Sequence, residues 1–260
     1  MGNPMSRRDR RPPRRRRPAR APQPAPPSPH TLAIDVGGSG LKASVLDPEG
    51  RLLMDPVRVR TPSPARPSAL VNALTTLVRD LPPFDRVSVG FPGVVREGRV
   101  LTAPNLGTGP WRGFDLASRL TRRFGRPVRV LNDAEVQALA VIRRKGIELV
   151  VTLGTGVGTA LFHDGQLAPH LELAHHPIRQ DKTYDQYLGD RARKKLGKKK
   201  WNRRLRRVIS ILSTLTNYDR LYLGGGNASR VELRLPQNVK LVSNTAGILG
   251  GLALWEDWWK

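Results

Sequence analysis

An Asn-Asp pair near the middle of the chain is the first group that could do chemistry. Residues 131–135 (LNDAE) follow a short apolar run, so Asp133 is expected at the end of a buried strand, capping a helix, where it can meet a ligand. Phosphoryl transfer to an alcohol needs one carboxylate to accept the hydroxyl proton. An isolated Asn-Asp pair is more often a plain helix cap, but Asp133 lies between two glycine-rich segments, which favours a catalytic base.

The first of these segments is DVGGSGLK, residues 35–42. Its glycines let the backbone approach a phosphate without a clash from Cβ, although a plain hairpin turn fits as well. Asp35 could hold a magnesium ion directly or through water, and Lys42 could contact phosphate or be a solvated strand residue. The predicted phosphate-binding residues of the turn are Gly37, Gly38 and Ser39.

The second segment is TLGTGVGTALFHDGQL, residues 152–167. Gly154, Thr155 and Gly156 form another anion-binding turn. A dinucleotide-binding glycine loop leads from a strand into a helix, whereas a strand and a hairpin follow here. The pattern therefore indicates a phosphate hairpin and disfavours NAD binding.

Two further segments could bind the organic parts of substrates. Gly224, Gly225 and Gly226 follow the strand RLYLG, and they would let an adenine or ribose lie against the backbone, unless they are only a strand-to-helix turn. In LELAHHP (171–177), Glu172 and His175 could bind sugar hydroxyls. A metal site is disfavoured for the four histidines at 163, 170, 175 and 176, because no cysteine is available and their spacing suits no common pattern.

Positive charge is concentrated in two places. The formal net charge is +24, and eleven Lys and Arg residues stand between Arg191 and Arg207 without an acidic residue. Apolar residues at helical spacing should bury one face of this run and leave the basic face for a polyanion or for solvent. The cations assigned to inorganic polyphosphate are Lys198, Lys199, Lys200, Arg203 and Arg204. Residues 1–30, rich in Arg and Pro, are expected to be a disordered tail, with nucleic acid as an open partner.

The composition also excludes classes of protein. The chain has no cysteine, so disulfides and thiol catalysis are excluded and a cytoplasmic location is favoured. No apolar run is long enough to span a bilayer, and no apolar segment of a secretory signal follows the basic N-terminus.

The elements that must position these residues are short strands and helices in a nearly repeated order. Strands are predicted for TLAIDV, LKASVLD, 52–60, RVSVGF, PVRVLN, ELVVTLG, GTALFHD, RLYLG and VKLVS. Helices are predicted over 68–80, 115–124, 133–145, 184–196, 200–216 and from 245 onwards. A strand–glycine turn–strand unit opens each half, as a two-lobed nucleotide clamp requires.

Together these segments resemble the ROK family of sugar kinases over about residues 31–255. DVGGSGLK resembles its first phosphate motif, VGFPGVV its G-x-PG-x-V segment, and LNDAE its catalytic strand end. LGTGVGTALFHDGQL resembles the second phosphate motif, ELAH the E-x-G-H sugar motif, and LYLGGGNAS the adenosine motif. APNL followed by a Trp, GRPVRVLNDAE and LGKKKWNRRLRR are similar to the polyphosphate glucokinase branch of that family.

The resemblance implies an α/β fold of the two-lobed actin/hexokinase (ribonuclease H-like) type. The small lobe would be 31–132 with the C-terminal helix 245–260, and the large lobe 133–244. Asp133 would be the base, and the sugar contacts would be Asn105, Asn132, Asp133, Glu172 and His175. Ala174 departs from the glycine of E-x-G-H, which leaves the choice of sugar open.

The expected activity is phosphorylation of glucose to glucose 6-phosphate, with magnesium and with polyphosphate, ATP or both as donor. Two alternatives stay open: an ATP-only kinase of another hexose, and a non-catalytic sugar-sensing or nucleic-acid-binding protein on a kinase fold. A homodimer also stays open, whereas a membrane partner is not expected.

Overall fold

The computed structural model describes residues 29–243 and 246–260. The predicted disordered tail therefore lies, but for its last two residues, outside the described residues, and so does Thr245, the predicted start of the last helix. Among the residues that are described, no helix is both long and apolar enough to cross a membrane.

Two five-stranded sheets form the framework. The first contains β1 (Thr31–Val36), β2 (Gly40–Leu46), β3 (Val57–Arg60), β4 (Arg86–Phe91) and β7 (Val128–Asn132). The second contains β8 (Ile147–Leu153), β9 (Val157–His163), β10 (Gln166–Leu167), β13 (Arg220–Gly224) and β14 (Val239–Leu241). Two small hairpins complete the strands: β5 (Val95–Arg96) with β6 (Arg99–Val100), and β11 (Pro177–Arg179) with β12 (Lys182–Thr183).

The two sheets have the same topology. Their strand orders are β3-β2-β1-β4-β7 and β10-β9-β8-β13-β14. In each sheet the first three strands pair antiparallel and the last two are added parallel. The near-repetition expected from the sequence is therefore confirmed at the level of strand pairing. Each half begins with a strand–glycine turn–strand unit at the centre of its sheet.

Most predicted helices are present with adjusted ends. The helices are α1 (Pro67–Leu77), α2 (Thr108–Trp111), α3 (Leu116–Phe124), α4 (Asp133–Leu139), α5 (Tyr184–Leu188), α6 (Asp190–Thr216) and α7 (Ala246–Ala253), with short 3-10 helices at Leu173–His175 and Ala228–Arg230. The prediction that α4 runs to Lys145 was wrong, because the chain leaves the helix after Leu139 and reaches Gly146 with a left-handed backbone. The short helix α2 was not among the predicted helices.

The basic helix was predicted with the wrong breaks. The chain breaks at Gly189, so α5 ends at Leu188, and α6 continues to Thr216 with a kink at Gly197. Gly197 has φ 73° and ψ 164°, a conformation that glycine adopts without a Cβ penalty. The predicted apolar stripe is buried at Trp201, Leu205, Val208, Ile209 and Leu212. Leu215 continues the same spacing but is 59% exposed, one residue before the helix ends.

Helix α7 packs against α4 and the first sheet. Gly250 lies against the backbone of Val136 in α4, and Gly251 lies against Ala33 and Ser88 of the sheet, so a side chain at either position would overlap its neighbours. Ser88 Oγ donates to the carbonyl of Gly251 at 2.5 Å. The C-terminal helix is thus held close to the helix that begins at Asp133. The boundaries of the two lobes stay a prediction.

Candidate active site

A cavity lies where the two glycine turns and the start of α4 meet. It takes residues from both sheets, and most of the residues singled out from the sequence line it. The predicted site residues on its wall are Asp35, Gly37, Gly38, Lys42, Asn105, Asn132, Asp133, Gly154, Thr155, Gly156, Glu172, Gly225 and Gly226. Three do not line it: Ser39 is exposed at the tip of the first turn, His175 is exposed, and Gly224 is buried against Gln137.

The helix at the cavity floor begins with a capping box. The Asn132 side chain accepts from the backbone N–H of Ala134 at 2.9 Å and of Glu135 at 3.4 Å, and Glu135 Oε2 accepts from the N–H of Asn132 at 3.1 Å. Asn132 Nδ2 also donates to the carbonyl of Gly93 at 3.1 Å. Asn132, and not Asp133 as predicted, is therefore the N-cap residue.

Asp133 is the first residue of α4 and is half-buried in the cavity wall. Burial raises the pKa of its carboxyl to about 7, with the negative charge of Asp35 adding to the shift and the N–H of Ala134 opposing it. Glu172 and Glu135 raise it further. A carboxyl group with a pKa near 7 can accept a proton from a substrate at neutral pH and release it afterwards.

The first glycine turn brings Asp35 and Lys42 into the cavity. They are direct cross-strand partners on β1 and β2, and Lys42 Nζ lies 3.3 Å from Asp35 Oδ2. The turn closes with the N–H of Gly37 donating to the carbonyl of Gly40 at 2.9 Å. Gly38 packs against Asn105, since a Cβ on Gly38 would lie 3.2 Å from that of Asn105. A predicted phosphate residue and a predicted sugar residue are therefore neighbours.

The Asp185 side chain contacts the second glycine turn and stabilises it. Asp185 Oδ1 accepts from the N–H of Val157 at 2.6 Å, and a Cβ on Gly156 would lie 2.6 Å from both carboxylate oxygens. Burial raises the pKa of Asp185, although the Val157 bond opposes this. The N–H of Asp190, at the start of α6, donates to the carbonyl of Gly154 at 3.0 Å. The basic helix thus begins directly on this turn.

Amide groups remain available in both turns. Within the described part of the chain, the N–H groups of Gly38, Thr155 and Gly156 donate to no protein acceptor. Gly225 has φ 81°, and a Cβ there would overlap the backbone of Leu153, so glycine is required at this crossing. Backbone amides next to glycines are suited to anionic oxygens.

A largely buried histidine connects Glu172 to α4. His170 Nδ1 lies 2.7 Å from Glu135 Oε1, and His170 Nε2 lies 3.5 Å from Glu172 Oε2. Burial lowers the pKa of His170, but the contacts with Glu135 and Glu172 outweigh burial and raise it to about 9. Burial also raises the pKa of Glu172, and His170 outweighs that effect, so Glu172 titrates below its usual value. Glu172 is therefore ionised at neutral pH.

A second concave surface lies on the basic helix. It is lined by Arg179, Tyr187, Leu196, Lys200, Arg203, Arg204 and Arg207, which we call the basic pocket. Arg204 donates to the carbonyl of Tyr187 at 3.0 Å, and its guanidinium lies 4.3 Å from the centre of the Tyr187 ring. Of the five cations assigned to polyphosphate, Lys200, Arg203 and Arg204 line the basic pocket. Lys199 is exposed outside it, and Lys198 pairs with Glu232.

Sequence reasoning missed several residues of the site. Asp185 and Gln137 line the cavity, and His170 lies behind Glu172. Asp185 could have been suspected, because Thr183 and Gln186 form a capping box that fixes the start of α5 beside it. His170 was considered only as a metal ligand. Nothing in the sequence indicates that it contacts Glu135, which is 35 residues away.

Comparisons with known proteins show which family the chain resembles over most of its length. A sequence model of the ROK family matches residues 31–172. The chain is 31% identical over 238 residues to polyphosphate glucokinase of Mycobacterium tuberculosis, covering 85% of this chain and 89% of that protein. It is similar to the crystal structure of an inorganic polyphosphate/ATP-glucomannokinase from Arthrobacter sp. strain KM, with a TM-score of 0.78 and 32% identity over 86% of this chain and 97% of that one.

A more distant structure supports the fold alone. A ROK family glucokinase from Streptomyces griseus superposes with a TM-score of 0.71 at 20% identity, covering 86% of this chain and 98% of that one. The predicted α/β fold of the actin/hexokinase type is therefore confirmed. The family model spans more than half of the chain and includes both Asp35 and Glu172. This chain belongs to the ROK family, and its fold is that of the family's sugar kinases.

Proposed function

We propose that this protein phosphorylates glucose to glucose 6-phosphate with polyphosphate, ATP or both as the donor. The observation that carries the proposal is Asp133: a half-buried carboxyl group with a pKa near 7, between two glycine turns, in a cavity that also holds Glu172 and Asn105. The names of the similar proteins, polyphosphate glucokinase and polyphosphate/ATP-glucomannokinase, support both the sugar and the donors.

In the proposed reaction, Asp133 accepts the proton of the attacking sugar hydroxyl as the oxygen–phosphorus bond forms. Glu172, ionised at neutral pH, accepts hydrogen bonds from other hydroxyls, and Asn105 and Asn132, which also line the cavity, bind the sugar as well. The available amides of Gly38, Thr155 and Gly156 hold oxygens of the donor, and Lys42 adds positive charge. Closure of the two halves would exclude water from the phosphoryl group.

Magnesium fits the cavity wall at Asp35. Magnesium usually keeps several waters and binds one or two carboxylates together with substrate phosphates. Within residues 29–243 and 246–260, no group of three or more His, Asp or Glu residues is arranged to hold a metal. Asp35 and Asp133 repel each other, as the raised pKa of Asp133 indicates, so a cation between them would be stabilised. When bound, magnesium would neutralise donor phosphate charge.

The basic pocket supports polyphosphate as a donor. Helix α6 starts at the second glycine turn, and its exposed cations continue away from the cavity. A long polyphosphate could place its terminal phosphate between the glycine turns and lay the rest along Lys200, Arg203 and Arg204. ATP carries few charges and would engage fewer of these cations.

Two alternatives remain. The first is an ATP-only kinase of another sugar. Its sugar is left open because Ala174 lines the cavity beside Glu172, and because the name glucomannokinase includes a second hexose. The second is a non-catalytic sugar-sensing or nucleic-acid-binding protein, which the charge of +24 favours and the presence of Asp133 disfavours. A homodimer and a cytoplasmic location stay predictions.

The decisive experiment is a coupled assay for glucose 6-phosphate with purified protein. It compares polyphosphate with ATP, alone and in competition, and compares glucose with mannose and an amino sugar, with and without magnesium. We expect glucose turnover that depends on Asp133. Turnover of another sugar with ATP alone would favour the first alternative, and no turnover with any pair would favour the second.

A further inference from the structure

We infer that His170 is a positioning residue that holds Glu172 at a fixed place relative to Asp133. The inference rests on the proposed sugar site at Glu172 and Asp133, and it adds a residue to which no role has been assigned. His170 does not line the cavity, so it acts through Glu172 and does not contact the substrate.

The contacts form a continuous path from the start of α4 to the loop that carries Glu172. The backbone N–H of Asn132 donates to Glu135 Oε2 at 3.1 Å, Glu135 Oε1 lies 2.7 Å from His170 Nδ1, and His170 Nε2 lies 3.5 Å from Glu172 Oε2. The path begins one residue before Asp133. It therefore fixes the loop that carries Glu172 to the backbone that carries the proposed base.

The inner residues of this path are more buried than Glu172, so breaking the path would cost free energy. The Glu135 side chain is 5% exposed and the His170 side chain is 11% exposed, whereas Glu172 is 29% exposed and faces the cavity. Two carboxylates on one imidazolium in a largely buried site keep that ring charged. Loss of the ring would leave Glu135 buried without a counter-charge.

The Nε2 atom of His170 is only loosely paired with Glu172. It is buried and has no hydrogen-bond partner, since 3.5 Å to Glu172 is an ion-pair distance with poor hydrogen-bond geometry. A buried unsatisfied donor is unfavourable. A small movement of Glu172 towards His170 would satisfy it.

The charged groups around the pair come from several elements. Glu135 faces His170 from α4, and Glu172 faces it from its own loop. His175 of the 3-10 helix acts on Glu172, and Asp185 of α5 interacts with both Glu172 and His175. Asp133 and Asp35 complete the negative side of the cavity.

The first test compares wild-type protein with His170→Gln, which removes the charge and keeps an amide that can donate to Glu135. We expect the KM for glucose to rise about tenfold or more, with the KM for the donor changed less than twofold and kcat reduced less than the ratio kcat/KM for glucose. The matched control is His163→Gln, an exposed histidine at the end of strand β9. Equal sugar KM values for wild type and His170→Gln would overturn the inference.

The second test does not depend on turnover or on the stability of that variant. Titration of the His170 ring by NMR in the wild-type protein should show a charged ring through neutral pH, and Glu172→Gln should lower its pKa by about one unit or more. An unchanged His170 titration in Glu172→Gln would overturn the inference even if the enzyme were active. If the wild type phosphorylated no sugar but the titration shifted as expected, the proposed function would fail and the coupling of His170 to Glu172 would stand.

Discussion

Asn132 and Glu135 cap helix α4 by exchanging hydrogen bonds with each other's backbone N–H groups. Asn132 Oδ1 accepts from the N–H of Glu135 at 3.4 Å, and Glu135 Oε2 accepts from the N–H of Asn132 at 3.1 Å. Because this pair satisfies the helix start, the Asp133 carboxylate is not needed as the cap and is available at the cavity. Catalysis and stability can therefore be separated at adjacent positions.

Asp133→Asn should abolish most activity without unfolding the protein. The amide cannot accept the sugar proton, so kcat should fall roughly 10²–10⁴-fold. The folded-state pKa of Asp133 lies above its unfolded value, so its ionised form is disfavoured by folding and the wild type loses stability as pH rises from about 4 to about 7. The variant should then have an equal or higher Tm at pH 8, measured by differential scanning calorimetry.

The control for that variant is Asn132→Ala, which removes the cap and keeps the base. A cap contributes about 1 kcal/mol, so this variant should show a lower Tm. Near-full activity of Asp133→Asn would mean that Asp133 is not the base.

The pH dependence of turnover should follow the ionisation of Asp133. Its carboxyl group must be ionised to accept a proton, so kcat/KM for glucose should fall about tenfold for each pH unit below a value near 7. A magnesium–donor complex near Asp35 would favour the ionised form, so the acid limb of kcat should lie at lower pH than that of kcat/KM. Steady-state rates between pH 5 and 9 check both limbs. An acid limb near pH 4 in kcat/KM would contradict the raised pKa.

Glu172→Gln should weaken binding of the sugar and leave binding of the donor largely unchanged. The change keeps the shape of the side chain and removes a charged acceptor, worth about 1.5–3 kcal/mol, so the KM for glucose should rise about 10- to 100-fold. Asp181→Asn is the matched control, because Asp181 is exposed, lies outside the cavity and has a left-handed backbone that Asn tolerates. An increase confined to the KM of the donor would mean that the sugar site has been misplaced.

Neutralising the basic helix should raise the KM for one donor much more than the KM for the other. Replacing Lys198, Lys199, Lys200, Arg203 and Arg204 with Gln should raise the KM for long-chain polyphosphate strongly and that for ATP mildly. Affinity for polyphosphate should fall steeply with salt, with a slope of about one per phosphate neutralised by analogy with DNA, because bound counterions are released. KM values for both donors at several salt concentrations test this directly.

The basic-helix variant needs a control for the loss of five charges. Replacing the exposed Arg79, Arg96, Arg119, Arg122 and Arg126 with Gln removes the same charge from the first half of the chain. That protein should keep its polyphosphate KM within about twofold. Equal losses for both donors in the basic-helix variant would instead indicate a solvated face or a nucleic-acid surface.

Gly250→Ala should loosen the contact between α7 and α4. A Cβ at Gly250 would overlap the carbonyl of Val136, so the helices must move apart at a cost of about 1–3 kcal/mol. Because Asp133 begins α4, kcat should fall as well as Tm. Leu249→Ala on the exposed side of the same helix is the control and should change Tm little. A Tm equal to that of the wild type would show that α7 does not stabilise α4.

The order of elements and the glycine turns could be predicted from the sequence because they depend on local patterns. Apolar runs such as TLAIDV and RVSVGF become the buried strands β1 and β4, and the glycines after Asp35 and Leu153 mark the turns that close on the cavity. The charge run on α6 and its buried stripe also follow from helical spacing, although the kink at Gly197 and the exposure of Leu215 do not. Residue types at fixed short spacing thus predicted which segments would form the glycine turns that line the cavity.

Only the tertiary structure decided which polar groups contact one another. His170 meets Glu135 across 35 residues and Asp185 meets Val157 across 28, and both contacts depend on how the loops return to the cavity. The capping role of Asn132 likewise depended on the backbone angles at the end of β7, which place its side chain over the helix start. A pKa follows burial and neighbouring charge, so the raised pKa of Asp133 arises only once residues from both sheets surround it.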